Sequence, residues 1–323
     1  MNQIFPFPLE RLSISKVKEF LNCQRKYQYR HIDKLVPRMY QRALEFGTVG
    51  HKFLELFYTA MSEGKLLEFD INEAFDKISK TNQFDGFDAA SSQQWNLDLF
   101  VIRGMIEAYV QHYRSDENLW EILSVEKDFL LGKEGDYGGA SFSKTAFRGK
   151  PDLIVRNKSD GKIWVVDHKF LAQISAGALK KLPMDYQIHA YIKMFNQQLE
   201  AQGSKERVAG AIYNIVKKSG KRLKKNQTPS ELAREMFDDY TETPSDYFHR
   251  EYVIVTEHNT KSFDAFIAQA SLDMHDKHFT GRFSQNINAC DTYGECPYIE
   301  LCLRGKDAEF LYRKLERPID VSK

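Results

Sequence analysis

Two aspartates and a lysine stand in the part of the chain richest in strand-forming residues. Phe147-Arg148-Gly149-Lys150-Pro151-Asp152-Leu153-Ile154-Val155 is followed by Ile163-Trp164-Val165-Val166-Asp167-His168-Lys169, and Lys158 to Gly161 between them is turn-like. Folding the two stretches symmetrically between Ser159 and Asp160 sets Asp152 opposite Asp167. Side chains two apart on a strand share a face, so Asp167 and Lys169 project together. One register thus gathers two carboxylates and an ammonium group. Carboxylates a few ångströms apart repel each other, and a hard divalent cation relieves that repulsion. Oxygen ligands with open water positions suit Mg²⁺ or Mn²⁺. Such an ion could orient a phosphodiester, polarise it and lower the pKa of an attacking water. Lys169 could position that water or stabilise the developing charge. The peptide carbonyl of His168, between the two, is a further candidate ligand. An Asp-x-Lys tripeptide by itself fits a structural ion pair equally well, so the reading depends on what accompanies it.

The cysteines form a second candidate set. Cys23 stands alone early, and Cys290, Cys296 and Cys302 fall close together near the other end, so all 4 cysteines belong to it. Four thiolates can hold an iron–sulfur cluster or a tetrahedral Zn²⁺; the alternative is inert buried thiols. A basic run, Lys217, Lys218, Lys221, Arg222, Lys224 and Lys225, follows an apolar stretch. Taken alone it is a solvated loop; beside a phosphodiester-cleaving site it becomes a candidate nucleic-acid contact. Tyr213 and Tyr247 could stack on bases, with core packing as the alternative.

These groups need a scaffold. Ser15 can cap a helix through Val17, Phe20 and Leu21 toward Tyr29. Residues 47–61 read as a helix with Val49, Phe53, Leu56, Phe57 and Ala60 on its apolar stripe and His51 and Glu55 on the other side. Residues 71–113 look mostly helical. Strands are predicted over 121–131, 147–156, 163–170, 209–216 and 252–256, with helices over 184–199 and 262–279. That order gives an α/β core sheet with helices around it.

Composition narrows the class. A chain of 323 residues with 23 Phe, 16 Tyr and 3 Trp can bury a large core and is not a disordered protein. The balance of 46 Lys+Arg against 45 Asp+Glu excludes a wholesale basic coat but leaves room for a local groove. No apolar run approaches the length of a membrane span. The opening Met1-Asn2-Gln3-Ile4-Phe5-Pro6 lacks the pattern of a signal peptide, so a reducing, cytoplasmic setting is expected. No Gly-x-x-x-x-Gly-Lys-Ser/Thr loop occurs, so a helicase motor of that type would have to be a separate partner.

Four motifs in order give the resemblance: Gly47-Thr48-Val49-Gly50-His51, Gly149-Lys150-Pro151-Asp152, Asp167-His168-Lys169 and Gln187-Ile188-His189-Ala190-Tyr191. The chain resembles the PD-(D/E)xK nuclease superfamily, and within it the RecB-like branch. The resemblance implies a restriction-endonuclease-like core, a central mixed sheet flanked by helices. It implies that His51, Asp152 and Asp167 bind metal and that Lys169 assists the water. Gln187 and Tyr191, one turn apart, would contact the scissile region or the nucleic-acid backbone. Glu55 and Glu126 could also approach the metal, although the motifs do not require them.

The cysteines resemble those of the iron–sulfur subgroup of this branch, which includes CRISPR-associated spacer-trimming nucleases and helicase–nuclease subunits. There a cluster, expected here as [4Fe–4S], ties the chain ends together. Five residues separate Cys290 from Cys296 where many members have two, whereas the five between Cys296 and Cys302, and Pro297, match. The implied plan is one nuclease domain with a cysteine-cluster lobe (1–45 and 280–323), a helical insertion (62–118) and a catalytic core (119–279) joined by the 47–61 helix. The implied activity is a Mg²⁺- or Mn²⁺-dependent DNA exonuclease acting on single strands or ends without sequence specificity. The alternatives are a flap endonuclease, or a catalytically weak DNA-binding subunit of a recombination, repair or CRISPR-adaptation complex.

Overall fold

The computed structural model describes residues 11–39, 42–81, 89–131, 146–291 and 294–315. Among these are ten strands: β1 (Arg11–Ser13), β2 (Leu35–Pro37), β3 (Trp120–Val125), β4 (Phe129–Leu131), β5 (Ala146–Gly149), β6 (Leu153–Asn157), β7 (Ile163–Leu171), β8 (Val208–Lys217), β9 (Phe248–Val253) and β10 (Tyr312–Lys314). Five form the central sheet in the order β3-β6-β7-β8-β9. All its neighbours are antiparallel except β7 and β8, which are parallel and joined through the Tyr186–Ala201 helix.

Helices cover both faces of this sheet, which is why its strands read as near-continuous apolar runs. Along β7 the side chains alternate between two cores. Trp164 and Val166 join Phe53 and Phe57 of the Arg42–Ser62 helix, Ile102 and Met105 of the Ala89–Tyr113 helix and Met236 of the Pro229–Glu242 helix. Ile163 and Val165 join Val17 of the Ile14–Asn22 helix, Ile188 and Phe195 of the Tyr186–Ala201 helix and Phe263 of the Glu257–Thr280 helix. The same alternation sends Asp167 and Lys169 to the second side and His168 to the first. No described helix is long and apolar enough to cross a membrane.

The β6–β7 hairpin has the expected register: Leu153 pairs with Val166 and Arg156 with Ile163, so one further step sets Asp152 opposite Asp167. The strand predicted over 147–156, however, is broken. Lys150-Pro151-Asp152 separates β5 from β6, because Pro151 has no N–H to give a ladder. The strand predicted over 121–131 also divides: β3 stays in the central sheet while β4 pairs with β5 in a small sheet of order β1-β5-β4. Glu126 turns the chain at this break with a left-handed φ of 46°.

Other boundaries moved for local reasons. Ser13, not Ser15, caps the first helix, its side chain accepting from the Lys16 N–H, and the helix stops at Asn22. The region 71–113 is two helices, Ile71–Thr81 and Ala89–Tyr113. The strand expected over 252–256 is β9, and the following helix begins at Glu257 behind a Thr256–Asn259 capping box. The Pro229–Glu242 helix was not anticipated, although Thr228-Pro229-Ser230-Glu231 spells a capping box with Pro at the first turn.

An early and a late segment of the described chain meet. β2 pairs antiparallel with β10, and Tyr298, Leu301, Ala308 and Tyr312 close a small core with Tyr29 and Leu35. Asn286 donates to the Asn22 carbonyl and Arg25 N–H to that of Ser284, at 2.7 and 2.9 Å.

Candidate active site

A cleft of about 170 Å³ opens beside the hairpin, lined by residues from five places in the chain. The Arg42–Ser62 helix contributes Thr48, His51, Lys52 and Glu55, whose spacing i, i+3, i+4, i+7 is one helical stripe opposite buried Val49, Phe53 and Phe57. The turn between β3 and β4 gives Glu126; the hairpin and the break before it give Lys150, Asp152, Asp167 and Lys169; the Tyr186–Ala201 helix gives Gln187 and Tyr191; Ser15 closes the rim. Gly149 is required at this junction, because a Cβ there would fall 2.6 Å from Met194 Sδ and 2.9 Å from the Tyr191 ring.

His51 Nδ1 lies 3.3 Å from Asp152 Oδ1, while Asp152 Oδ2 accepts the His168 peptide N–H at 2.6 Å. Burial opposes the Asp152 charge, but the His51 ring and that N–H hold its carboxyl well below the usual range. His51 is raised in turn: burial disfavours its charge, and Asp152 outweighs burial. Asp167 moves the other way, raised by burial and by Asp152 although Lys169 pulls against both. Lys169 Nζ sits 2.6 Å from Asp167 Oδ2, yet no donor is aligned with that buried oxygen. Lys169 is pushed up to about 12, because Asp167 and Asp185 overcome the burial that would lower it. Gln187 Nε2 donates to the Tyr191 hydroxyl at 2.9 Å.

The ligand atoms of His51, Glu126 and Asp152 all come within 4.8 Å of one another. Two carboxylate oxygens and an imidazole nitrogen suit a divalent cation, and Asp167 Oδ2, buried without an aligned donor, offers a further oxygen in the same cleft. The sequence thus located His51, Asp152, Asp167, Lys169, Gln187 and Tyr191 in one cleft, but Glu126 stands nearer His51 and Asp152 than its secondary status suggested. Lys150, Thr48, Lys52 and Ser15 were given no place at the site, although Thr48 and Lys52 lie on the helical stripe of His51. Glu126 is pushed up to about 7, by burial first and the Asp152 charge second. Both it and His51 must shed protons to bind a cation, so Mn²⁺ affinity should rise with pH between about 6 and 8 and then level off. Calorimetric titration in buffers of differing protonation enthalpy should show proton release, and a pH-independent affinity in that window would contradict the assignment.

Behind β7 the His168 ring stacks on Tyr58 at 5.5 Å, and its Nδ1 lies 2.8 Å from Asn214 Nδ2. Asn214 Oδ1 accepts from Arg250 Nε at 3.2 Å. Arg250 in turn forks onto Asp116 at 2.8 and 2.5 Å, over the rings of Tyr113 and Trp120. Burial pushes the His168 pKa down to about 3, so its ring is neutral.

The basic run lies outside the cleft. Lys217 and Lys218 rest over the Tyr247 and Phe46 rings. Lys221 pairs with Asp239 at 3.2 Å and Lys224 with Glu235 at 3.2 Å, while Arg222 and Lys225 are exposed. Tyr213 is buried and Tyr247 stacks on Tyr240, so both are packing residues. No disulfide joins the four cysteines: Cys23 ends the first helix, the Cys296 N–H donates to the Cys290 carbonyl at 2.7 Å, and Cys302 lies on the Ile299–Arg304 helix. Burial raises the Cys302 thiol, and charge on any of the other three cysteines raises it further.

A family model for the PD-(D/E)XK nuclease superfamily matches residues 11–303, a span that takes in every residue of the cleft. No curated protein matches the chain. A solved structure titled "Crystal structure of SSO0001" is similar to it at 13% identity, over 92% of this chain and 87% of that one, with a TM-score of 0.38. Superfamily members are typically phosphodiesterases that use divalent metal ions, and the mixed sheet, its helices and the carboxylate hairpin are those of a restriction-endonuclease-like core. With its model matched across nearly the whole length, the chain belongs to the PD-(D/E)XK nuclease superfamily.

Proposed function

We propose that this protein is a Mg²⁺- or Mn²⁺-dependent DNA exonuclease of the RecB-like branch, acting on single strands or ends without sequence specificity. The observation that carries the reading is the convergence of His51, Glu126, Asp152, Asp167 and Lys169 on one cleft. His51, Asp152 and Glu126 would hold the cation, with Asp167 as a further oxygen ligand. The His168 carbonyl joins them because, in an extended strand, it points to the same edge as the N–H that reaches Asp152. A cation there supplies a Lewis acid for the scissile phosphate and acidifies water at neutral pH. Lys169, held protonated by Asp167 and Asp185, acts as a charge and hydrogen-bond donor toward the attacking water and the developing phosphorane, not as a base. Tyr191, whose hydroxyl burial keeps protonated, and Gln187 beside it would steady the nucleic-acid backbone. In the basic run Arg222 and Lys225 are the exposed cations for further phosphate contacts, since Lys221 and Lys224 are engaged with acids.

The cysteines would hold a [4Fe–4S] cluster of structural role in a lobe that fastens the chain ends, with structural Zn²⁺ as the competing occupant. Supporting this, the mutual charge sensitivity of the thiols is what a bound cationic centre would relieve. Cys296→Ser is expected to lose metal and soluble yield together in anaerobically purified protein assayed for both iron and zinc. Unchanged metal content and stability would remove the cluster.

Digestion of 5′- and 3′-end-labelled single- and double-stranded DNA in Mg²⁺, Mn²⁺ or EDTA, with Asp167→Ala alongside, tests the enzyme itself. Degradation requiring both metal and Asp167 is expected, and the label release gives the polarity. Retention of DNA without cleavage by both proteins would leave a binding subunit of a helicase, recombination or CRISPR complex instead.

A further inference from the structure

The ionisable groups around the cleft come in pairs. Lys52 lies 2.6 Å from Glu55, Lys150 2.6 Å from Glu126, Lys169 2.6 Å from Asp167 and His51 3.3 Å from Asp152. Lys150–Glu126 differs from the other lysine pairs in that both partners are sheltered, with side chains 12% and 11% exposed against 30% and 28% for Lys52–Glu55. Lys150, like Lys52, has no place in the proposed chemistry, and of the two it is the sheltered one. We propose that it is a phosphate clamp for the DNA substrate, held in reserve by Glu126 and released when a divalent cation takes that carboxylate. The proposal rests on the metal-dependent nuclease reading.

Three observations lead there. Glu126 stands in the left-handed region, which is disfavoured for a non-glycine residue. Its own N–H, donating to the Asp152 carbonyl at 2.9 Å, fixes the turn that aims its carboxylate into the cleft. Second, the carboxylate that Lys150 faces is the one that offers an oxygen within 4.8 Å of the His51 and Asp152 ligand atoms. A dication there and an ammonium on the same carboxylate repel each other strongly in a half-buried site. Lys150 has a flexible four-carbon stem, and Gly149 and Pro151 hold its backbone one residue from Asp152, so the ammonium can move while its base stays.

Third, the charge count leaves Lys150 a destination. The cleft lining has three lysines against four carboxylates, one negative charge in excess with His51 neutral. A divalent cation reverses that excess to one positive charge, which a single phosphodiester monoanion neutralises. Lys150 leaving Glu126 then finds a non-bridging phosphate oxygen as its new partner.

The test separates metal binding from DNA binding. In Lys150→Met, Glu126 loses its competitor, so Mn²⁺ measured by calorimetry should bind roughly threefold to tenfold tighter. DNA binding is read with a fluorescent single-stranded oligonucleotide in a Lys169→Met background that blocks cleavage. Mn²⁺ should tighten binding there, through its own contact with the phosphate and through Lys150, and adding Lys150→Met should reduce the gain by roughly threefold or more. Glu126→Gln should bind the oligonucleotide in EDTA more tightly than wild type, whereas Glu55→Gln, with the same charge change, should not. Should Lys150→Met fail to fold, the Glu126→Gln and Glu55→Gln comparison decides. Weaker Mn²⁺ binding by Lys150→Met, a Mn²⁺-linked gain that survives it undiminished, or equal effects of the two glutamine variants would overturn the clamp. A wild-type protein that binds no Mn²⁺ and cuts no DNA would instead remove the nuclease reading.

Discussion

Asp152→Asn is expected to reduce DNA cleavage by about 10³-fold while leaving the fold intact. Asparagine keeps the shape of the side chain, and its carbonyl oxygen can still accept the His168 N–H that now reaches Asp152 Oδ2. It removes the negative charge, the one that a divalent cation would meet and the one that raises His51 above its ordinary value. With it gone, burial works against only the weaker pull of Glu126 and Asp167, so the His51 pKa should fall in an NMR titration even without metal. Mn²⁺ affinity should drop with it. A variant that cleaves within tenfold of wild type, or in which His51 titrates unchanged, would show that Asp152 is a structural partner of His51 and not part of the reaction.

Arg250→Met has the largest expected effect on stability, a loss of about 3–5 kcal/mol. Asp116 is buried, and its oxygens take both arms of the guanidinium as well as the Tyr58 hydroxyl at 2.9 Å. Removing the cation strands that carboxylate away from water, which costs far more than an exposed ion pair returns. The double variant Asp116→Asn/Arg250→Met should therefore be more stable than Arg250→Met alone, a reversal that thermal or denaturant unfolding detects directly. Additive losses would mean that the pair carries no mutual dependence. Activity should decline in Arg250→Met even below its melting point, because Asn214 and the stacked His168 ring lose their support directly behind the strand that bears Asp167 and Lys169.

The hairpin was legible because two constraints coincide in it: a period-two pattern fixes the faces, and a turn between Asn157 and Lys162 fixes the register. The His51 stripe was legible for the parallel reason at helical spacing. Glu126 was seen only as a bystander, because its importance comes from a left-handed turn where one strand leaves the main sheet, a tertiary event with no local pattern. Lys150 was in plain view within Gly149-Lys150-Pro151-Asp152, but nothing local shows that its ammonium turns toward Glu126. Asp116 and Arg250 are 134 residues apart, and no spacing rule pairs them. The Pro229–Glu242 helix is different: its capping box was spelled out, and the neighbouring lysines drew attention instead. That helix then proved to supply Glu235 and Asp239, which pair with two of those lysines.

The pairing of β2 with β10 has a consequence for how the chain acquires its shape during synthesis. A ribosome releases β2 early, and its partner only after the catalytic sheet has been made. The β6–β7 hairpin closes over a short loop and can form as soon as it emerges, whereas the early segment must wait, with Leu35 and Tyr29 lacking their cover. The cysteine-bearing segments are therefore the last to come together. Any metal they take must be loaded after the central sheet has been made, so a shortage of that metal would leave chains with a folded central sheet and the β2 and β10 segments unlatched, open to proteolysis there and not at the cleft.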